Sequence, residues 1–205
     1  MTTQSIRTGV FNFNEFESSG TFYPEDMPTD WRIDYFANEF ETACIFLDEN
    51  ANIEAIEEML ANKQGNPHRN FELAFALNDI EYIDLYQGLQ NKYDAEIFAC
   101  IVTSECYDAL QLQHSRSEIS YFSFDIIAGL KNLPTLWQPE LSTSSSIALL
   151  PNCRSVKTCR DWIETWVEAL NDNKNRQDLL LWVDARQTSY SDLNQLRILV
   201  ELMGY

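Results

Sequence analysis

Short apolar runs alternate with amphipathic stretches along most of the chain. Seven runs rich in β-branched and aromatic residues predict strands at residues 6–12, 42–47, 71–77, 97–102, 120–126, 146–150 and 179–184. Residues 135–138 form a weaker eighth candidate. Four of these segments contain continuous apolar runs, at residues 43–47, 73–77, 97–102 and 179–183. Such runs are typical of strands that are buried on both faces, as in a parallel sheet.

The segments between these runs repeat apolar residues with helical spacing. They predict helices at about residues 29–40, 52–65, 78–93, 104–113, 156–171 and 189–203. Asn78, with Glu81 three residues later, predicts a capping box for the third of them. In the fifth, Trp162 and Trp166 are four residues apart and predict a core stripe rather than a ligand platform. Residues 14–28 and 131–145 show no helical pattern.

Alternating strands and helices indicate right-handed βαβ units, and therefore a parallel sheet covered by helices. The 205 residues predict a single domain spanning residues 1–205. We predict a TIM-like (β/α) barrel reduced to seven or eight mainly parallel strands. An open doubly wound parallel sheet is the alternative. The six glycines form neither of the Gly-rich phosphate-binding motifs, so no nucleotide cofactor is expected.

The composition narrows the classes of partner. The formal net charge of −18 disfavours contact with nucleic acids and with anionic membrane surfaces. The longest strictly apolar run, residues 97–102, is far too short to cross a membrane, and residues 1–7 lack the apolar stretch of a signal sequence. We therefore expect a cytoplasmic protein whose partner is another protein or a small molecule, with no nucleic-acid or membrane partner.

The five cysteines and two histidines have no metal-site spacing. We therefore expect no zinc or other metal and no cofactor of any kind, and we expect the thiols to be reduced. Cys106 stands near a predicted helix start, a position that lowers the pKa of a thiol. No histidine is placed to act as its base, which weakens its case as a nucleophile.

Two parts of the chain resemble a known family. Residues 22–40, FYPEDMPTDWRIDYFANEF, look like the opening segment of the YecE-like "domain of unknown function 72" family, with its Phe-Tyr-Pro loop and following helix. Residues 161–163 and 179–184, with the helix after them, resemble its final helix–strand pair. The chain would be a short, divergent member, and the resemblance implies a TIM-like barrel.

The departures from that family fall at the strand ends. The family's first strand runs into a Gly-Thr-Ser-Gly-Trp turn, where this chain has the sequence of residues 7–13. Its other strand-end polar residues are also replaced here. Because the family's reaction is unassigned, the resemblance carries no chemistry to this chain.

Barrel sites are built at the carboxyl ends of the strands. Asp125 and Asp184 end strands with no helix start directly behind them, and Arg186 is close to the second. We take these three as candidate catalytic residues. Asp48, Tyr23 and Trp31 are candidate pocket residues. Asp79 and Glu105 lie in first helical turns, where a carboxylate is explained by the helix dipole.

Two classes of function stay open. The sequence favours a non-catalytic interaction or accessory module, because no histidine or lysine stands at a strand end to act as a general base. The alternative is a metal-assisted small-molecule hydrolase or lyase that uses the strand-end carboxylates, with Arg186 holding an anionic group.

Overall fold

The structure is a computed structural model that describes residues 5–18, 22–28, 31–65, 71–113, 120–123, 136–139, 145–170 and 179–205. Within these ranges the strands are β1 (Ile6–Phe11), β2 (Thr42–Phe46), β3 (Glu72–Leu77), β4 (Ile97–Val102), β5 (Ser120–Ser123), β6 (Ile147–Leu150) and β7 (Leu179–Asp184). The helices are α1 (Phe13–Ser18), α2 (Arg32–Glu39), α3 (Ile53–Gly65), α4 (Ile83–Tyr93), α5 (Ser104–Gln113), α6 (Val156–Leu170) and α7 (Tyr190–Met203).

The seven strands form one sheet in the order β5-β4-β3-β2-β1-β7-β6. Every neighbouring pair is parallel. The weak eighth strand is reduced to one parallel bridge between Trp137 and Ala148. The bridge has two hydrogen bonds, from Trp137 N to Ile147 O at 2.9 Å and from Leu149 N to Trp137 O at 2.8 Å. The prediction of seven or eight mainly parallel strands is confirmed.

The two faces of the sheet bury different partners. Helices α1 to α7 all contribute to one large apolar cluster on the outer face. The inner face has its own cluster, which contains no helical residue in the described part of the chain. Its buried members are Phe11, Cys44, Ala74, Ala76, Ala99, Ile101, Phe122, Leu136, Ile147, Leu180 and Trp182. A doubly wound sheet carries helices on both faces, whereas a barrel carries them outside only.

The sheet is curled into a half-barrel. Phe122 of β5 and Leu136 belong to the same inner cluster, although β5 ends one edge of the sheet and Leu136 precedes the bridge at the other. Across the interior, Trp182 of β7 donates its indole N–H to Thr42 Oγ1 of β2 at 3.1 Å, and β1 lies between these two strands. This curvature makes the α/β fold TIM-like.

One glycine allows the close approach of β1 and β2. A Cβ atom placed on Gly9 would lie 1.7 Å from the carbonyl oxygen of Thr42. Gly9 is also in register with Trp182, whose indole reaches across to Thr42. No side chain larger than hydrogen fits between these strands.

Ion pairs link β1, β3 and the elements next to them at the amino-terminal end of the sheet. Arg7 of β1 contacts Glu72 of β3 at 2.6 Å. Lys63 lies 3.5 Å from Glu72 and 3.8 Å from the Glu96 carboxylate. The carboxyl ends of the strands, at the opposite end of the barrel, are where a site is expected.

Two details of the prediction change. Helix α1 lies partly in the stretch 14–28, which shows no helical pattern; Phe13 and Phe16 anchor it on Phe36, with ring centroids 5.1 and 5.5 Å apart. Asp79, not Asn78, caps the turn before α4 by accepting a hydrogen bond from Glu81 N. Residues 124–126 of the predicted fifth strand, and most of 131–145, lie outside the described residues. No helix in the described ranges is long and apolar enough to cross a membrane.

Candidate functional site

The alternation of side chains along β7 places Asp184 at the carboxyl end of the barrel interior. Leu180 and Trp182 belong to the inner cluster, so Asp184, two residues further on, faces the same side. Asp184 is in register with Phe11 at the end of β1. Its side chain is only 10% exposed, so this carboxylate needs a partner.

Arg186 is that partner. Its Nε lies 2.9 Å from Asp184 Oδ1, and its Nη2 lies 2.6 Å from Oδ2. The backbone N–H of Arg186 also donates to Oδ1, at 3.0 Å. Both carboxylate oxygens therefore accept hydrogen bonds, in the forked geometry that makes arginine–carboxylate pairs strong.

The local backbone produces this pairing. Asp184 is the N-cap of a short 3-10 turn, Ala185–Gln187, that follows the strand directly. Ser189 and Asp192 then form a capping box that begins α7. The turn is thus fixed by the Asp184 cap before it and by the capping box after it. In this conformation the guanidinium of Arg186 folds back onto the Asp184 carboxylate.

The guanidinium is charged and largely exposed. Its hydrogen bonds to Asp184 raise the pKa of Arg186, and the negative charges of Asp184 and Glu15 add to this while partial burial opposes it. The Arg186 side chain remains 61% exposed. In the part of the chain that the structure describes, its Nη1 makes no hydrogen bond. Donors on this side of the fork are available to a ligand.

A cleft of about 480 Å³ opens beside this pair. Its wall is formed by residues of the bridge segment, β6 and the loop after it, α6 and the turn after β7. They are Gln138, Pro139, Leu149, Pro151, Trp162, Asp184 and Arg186. This volume lies within the range of small-molecule sites, which combine apolar walls with a few placed polar groups.

Asp48 is used in a turn. Its Oδ1 accepts a hydrogen bond from Asn50 N at 2.8 Å and lies 3.4 Å from Asn14 Nδ2. Asn14 Nδ2 also donates to Phe46 O at 3.0 Å. These bonds tie the end of β2 to α1, and Asp48 does not line the cleft.

Tyr23 and Trp31 lie elsewhere. Tyr23 is buried in an aromatic cluster of the outer layer. Its ring centroid lies 4.8 Å from the ring centroid of Phe22 and 5.3 Å from the guanidinium carbon of Arg32. Trp31 is 61% exposed beside α2. Neither residue lines the cleft.

Of the remaining candidate site residues, some lie outside the described part of the chain and one, Cys106, is buried in the core. Asp125 and both histidines lie outside the described residues. Cys106 is buried, and burial raises the pKa of its thiol, against the expectation of a lowered value at a helix start. Among the described residues, no three cysteine, histidine or acidic side chains converge as a metal site would require.

Trp162 packs against the outer apolar cluster, as the predicted core stripe requires, and it also lines the cleft. Trp166 is fully buried and donates its indole N–H to Ser145 O at 2.7 Å, as a core residue should. Trp162, one turn earlier, is half-buried and lines the cleft. Helical spacing places both side chains on the sheet-facing side, as predicted, but it does not show that Trp162 also borders a cleft.

Comparison with known proteins agrees at the level of the fold. No family profile matches the sequence, and no curated protein matches it. Among solved structures, the chain is similar to a DUF72 family protein from Thermotoga maritima, with a TM-score of 0.66 and 11% sequence identity. The match covers 96% of this chain and 99% of that one. The resemblance seen in the sequence is thus confirmed for the fold: this chain has the barrel architecture of a DUF72 family protein.

Proposed function

We propose that this protein is a non-catalytic binding module that holds a small organic anion in the cleft beside Arg186. The observation that carries the proposal is the Asp184–Arg186 pair, in which both carboxylate oxygens accept hydrogen bonds from Arg186 and the guanidinium is exposed. The apolar part of the ligand would lie against Trp162, Pro139 and Leu149.

The state of Asp184 supports binding rather than catalysis. Asp184 Oδ1 accepts from the backbone N–H and from Nε of Arg186, and Oδ2 accepts from Nη2, so a role as general base or metal ligand would have to compete with these hydrogen bonds. Metal-assisted hydrolysis would also require Asp125, which lies outside the described residues.

The state of Arg186 favours an anion. The pair with Asp184 fixes the plane of the guanidinium, so little side-chain entropy is lost when a second anion binds its outer edge. A carboxylate or phosphate oxygen is the acceptor that suits this edge. The adjoining indole and proline surfaces suit a flat or apolar ligand body.

Isothermal titration calorimetry with phenyl phosphate, benzoate and neutral benzamide tests the proposal. We expect both anions to bind and benzamide to bind at least tenfold more weakly. Arg186→Gln should weaken anion binding by about tenfold or more, because a charge-assisted hydrogen bond contributes about 1.5–3 kcal/mol.

Arg160→Gln is the matched control. Arg160 is also 61% exposed and paired with a carboxylate, that of Glu164, but it does not line the cleft. The Arg160→Gln variant loses the same charge as Arg186→Gln, and we expect it to bind both anions as tightly as the wild type does. If both variants weakened anion binding equally, the effect would come from net charge, and a specific site at Arg186 would be contradicted. Binding of Mg²⁺ or Mn²⁺ that is lost in Asp184→Asn would support the hydrolase alternative.

A further inference from the structure

We propose that Cys153 and Cys159 form a dithiol site that hydrogen peroxide oxidises to an intramolecular disulfide. The pair lies where the loop after β6 meets the first turn of α6. Its two Sγ atoms are 2.8 Å apart, and both side chains are 1% exposed. A disulfide bond is about 2.05 Å long, so a small rotation of the side chains brings the sulfurs to bonding distance.

The two thiols are not equivalent. Their mutual hydrogen bond lowers the pKa of Cys159 and raises that of Cys153. Cys159 also stands in the first turn of a 15-residue helix, where the helix dipole favours a thiolate. Burial and the charge of Asp192 oppose ionisation. Cys159 is therefore the nucleophile of the pair, and Cys153 the resolving thiol.

The oxidation balances in two steps. The Cys159 thiolate attacks one oxygen of hydrogen peroxide, which forms the sulfenic acid and, with one proton, releases water. The Cys153 sulfur then attacks the Cys159 sulfur, which forms the S–S bond and releases a second water. In sum, two thiols lose two hydrogen atoms and one peroxide becomes two waters.

The loop gives the oxidant a way in. Pro151, Arg154, Ser155 and Val156 are exposed, so Cys153 is a buried side chain in a surface segment. A local opening of this loop exposes the sulfurs without unfolding the barrel. Cys44 and Cys100, in contrast, are wholly buried within strands, and burial raises the pKa of both.

Peroxide treatment of the native protein tests the site. Thiols are counted afterwards in denaturant with Ellman's reagent, and we expect two of the five to be lost and then recovered with dithiothreitol. Trypsin cleaves after Arg154 and Lys157, between the two cysteines, so the disulfide appears as a linked pair of peptides in the mass spectrum. Its mass falls short of the sum by two hydrogen atoms.

Three variants make the result specific. Cys153→Ser and Cys159→Ser should each abolish the linked peptide, whereas Cys106→Ser should leave it in place. Circular dichroism of each variant shows whether it folds. Five thiols still free after peroxide and before dithiothreitol, sulfinic acid on either residue of the pair, or links that join other cysteines in the native protein would each overturn the proposal.

Discussion

Thr8 and Thr42 are both almost completely buried, yet their hydroxyl groups have different surroundings. Thr42 Oγ1 accepts the indole N–H of Trp182 inside the barrel. Thr8 Oγ1 has no hydrogen-bond partner among the described residues. A buried polar group stabilises a protein only when it is paired, so the two side chains should contribute with opposite signs.

Thr42→Val should lower the free energy of unfolding by about 1–3 kcal/mol, because it leaves the Trp182 N–H unpaired in an apolar interior. Thr8→Val, the matched control, should leave that free energy unchanged or raise it. Urea denaturation of the two variants measures both values. Equal losses would contradict the assigned role of the Trp182 hydrogen bond.

At the residue scale, some contacts of the candidate site can be predicted from the sequence and others cannot. A bidentate Asp–Arg pair two residues apart is within reach of the sequence, because a carboxylate that ends a strand and an arginine just after it converge at one edge of the sheet. That Trp162 also lines the cleft cannot be predicted in this way, because helical spacing shows only that its side chain faces the sheet and not which neighbouring segments leave part of it uncovered.

At the scale of elements, the approach of β1 to β2 depends on Gly9. The strands are in register at Gly9 and Thr42, and the missing Cβ makes room for the carbonyl oxygen of Thr42. The indole of Trp182 crosses between β7 and β2 at the same level. The close approach of β1 and β2 beside the Trp182–Thr42 contact is thus tied to one residue.

Gly9→Ala should lower the free energy of unfolding by about 3 kcal/mol or more, since the added methyl group meets backbone that cannot move aside. Gly88→Ala is the control: Gly88 lies inside α4, and an added Cβ there meets nothing within 4 Å. That variant should gain about 0.5–1 kcal/mol from helix propensity. Denaturant titration gives both values, and a Gly9→Ala variant as stable as the wild type would refute the close packing of these strands.

The long, periodic elements were predictable from the sequence. The continuous apolar runs of β2, β3, β4 and β7 predict buried parallel strands, and all four form. Helix α1 escaped prediction because it is only six residues long and is stabilised by aromatic packing on α2, a tertiary effect.

At the scale of the whole molecule, what packs on each face of the sheet distinguishes a barrel from a doubly wound sheet. The pattern of strands and helices fits both a barrel and a doubly wound sheet, because periodicity does not show on which face each helix packs. The inner cluster, formed without helical residues in the described ranges, favours the barrel. That architecture gives the carboxyl ends of β6 and β7 a shared cleft.

The net charge sets the context for this cleft. With −18 overall, the protein repels anions at long range, so an anionic ligand must be held by local contacts. In the proposed function, Arg186 would provide such a contact beside the cleft. Binding that strengthens when salt is removed would indicate that the local contact outweighs the long-range field.

The most direct test of the account is to locate the ligand. The five tryptophans give five indole N–H signals in a ¹H–¹⁵N correlation spectrum, and Trp162→Phe identifies one of them. On titration with phenyl phosphate, we predict that the Trp162 signal shifts with saturable dependence, while that of Trp31, exposed and outside the cleft, stays in place. Arg186→Gln should move the midpoint of this shift to a phenyl phosphate concentration about tenfold higher or more. A Trp162 signal that does not move at saturating phenyl phosphate would contradict a ligand site in this cleft.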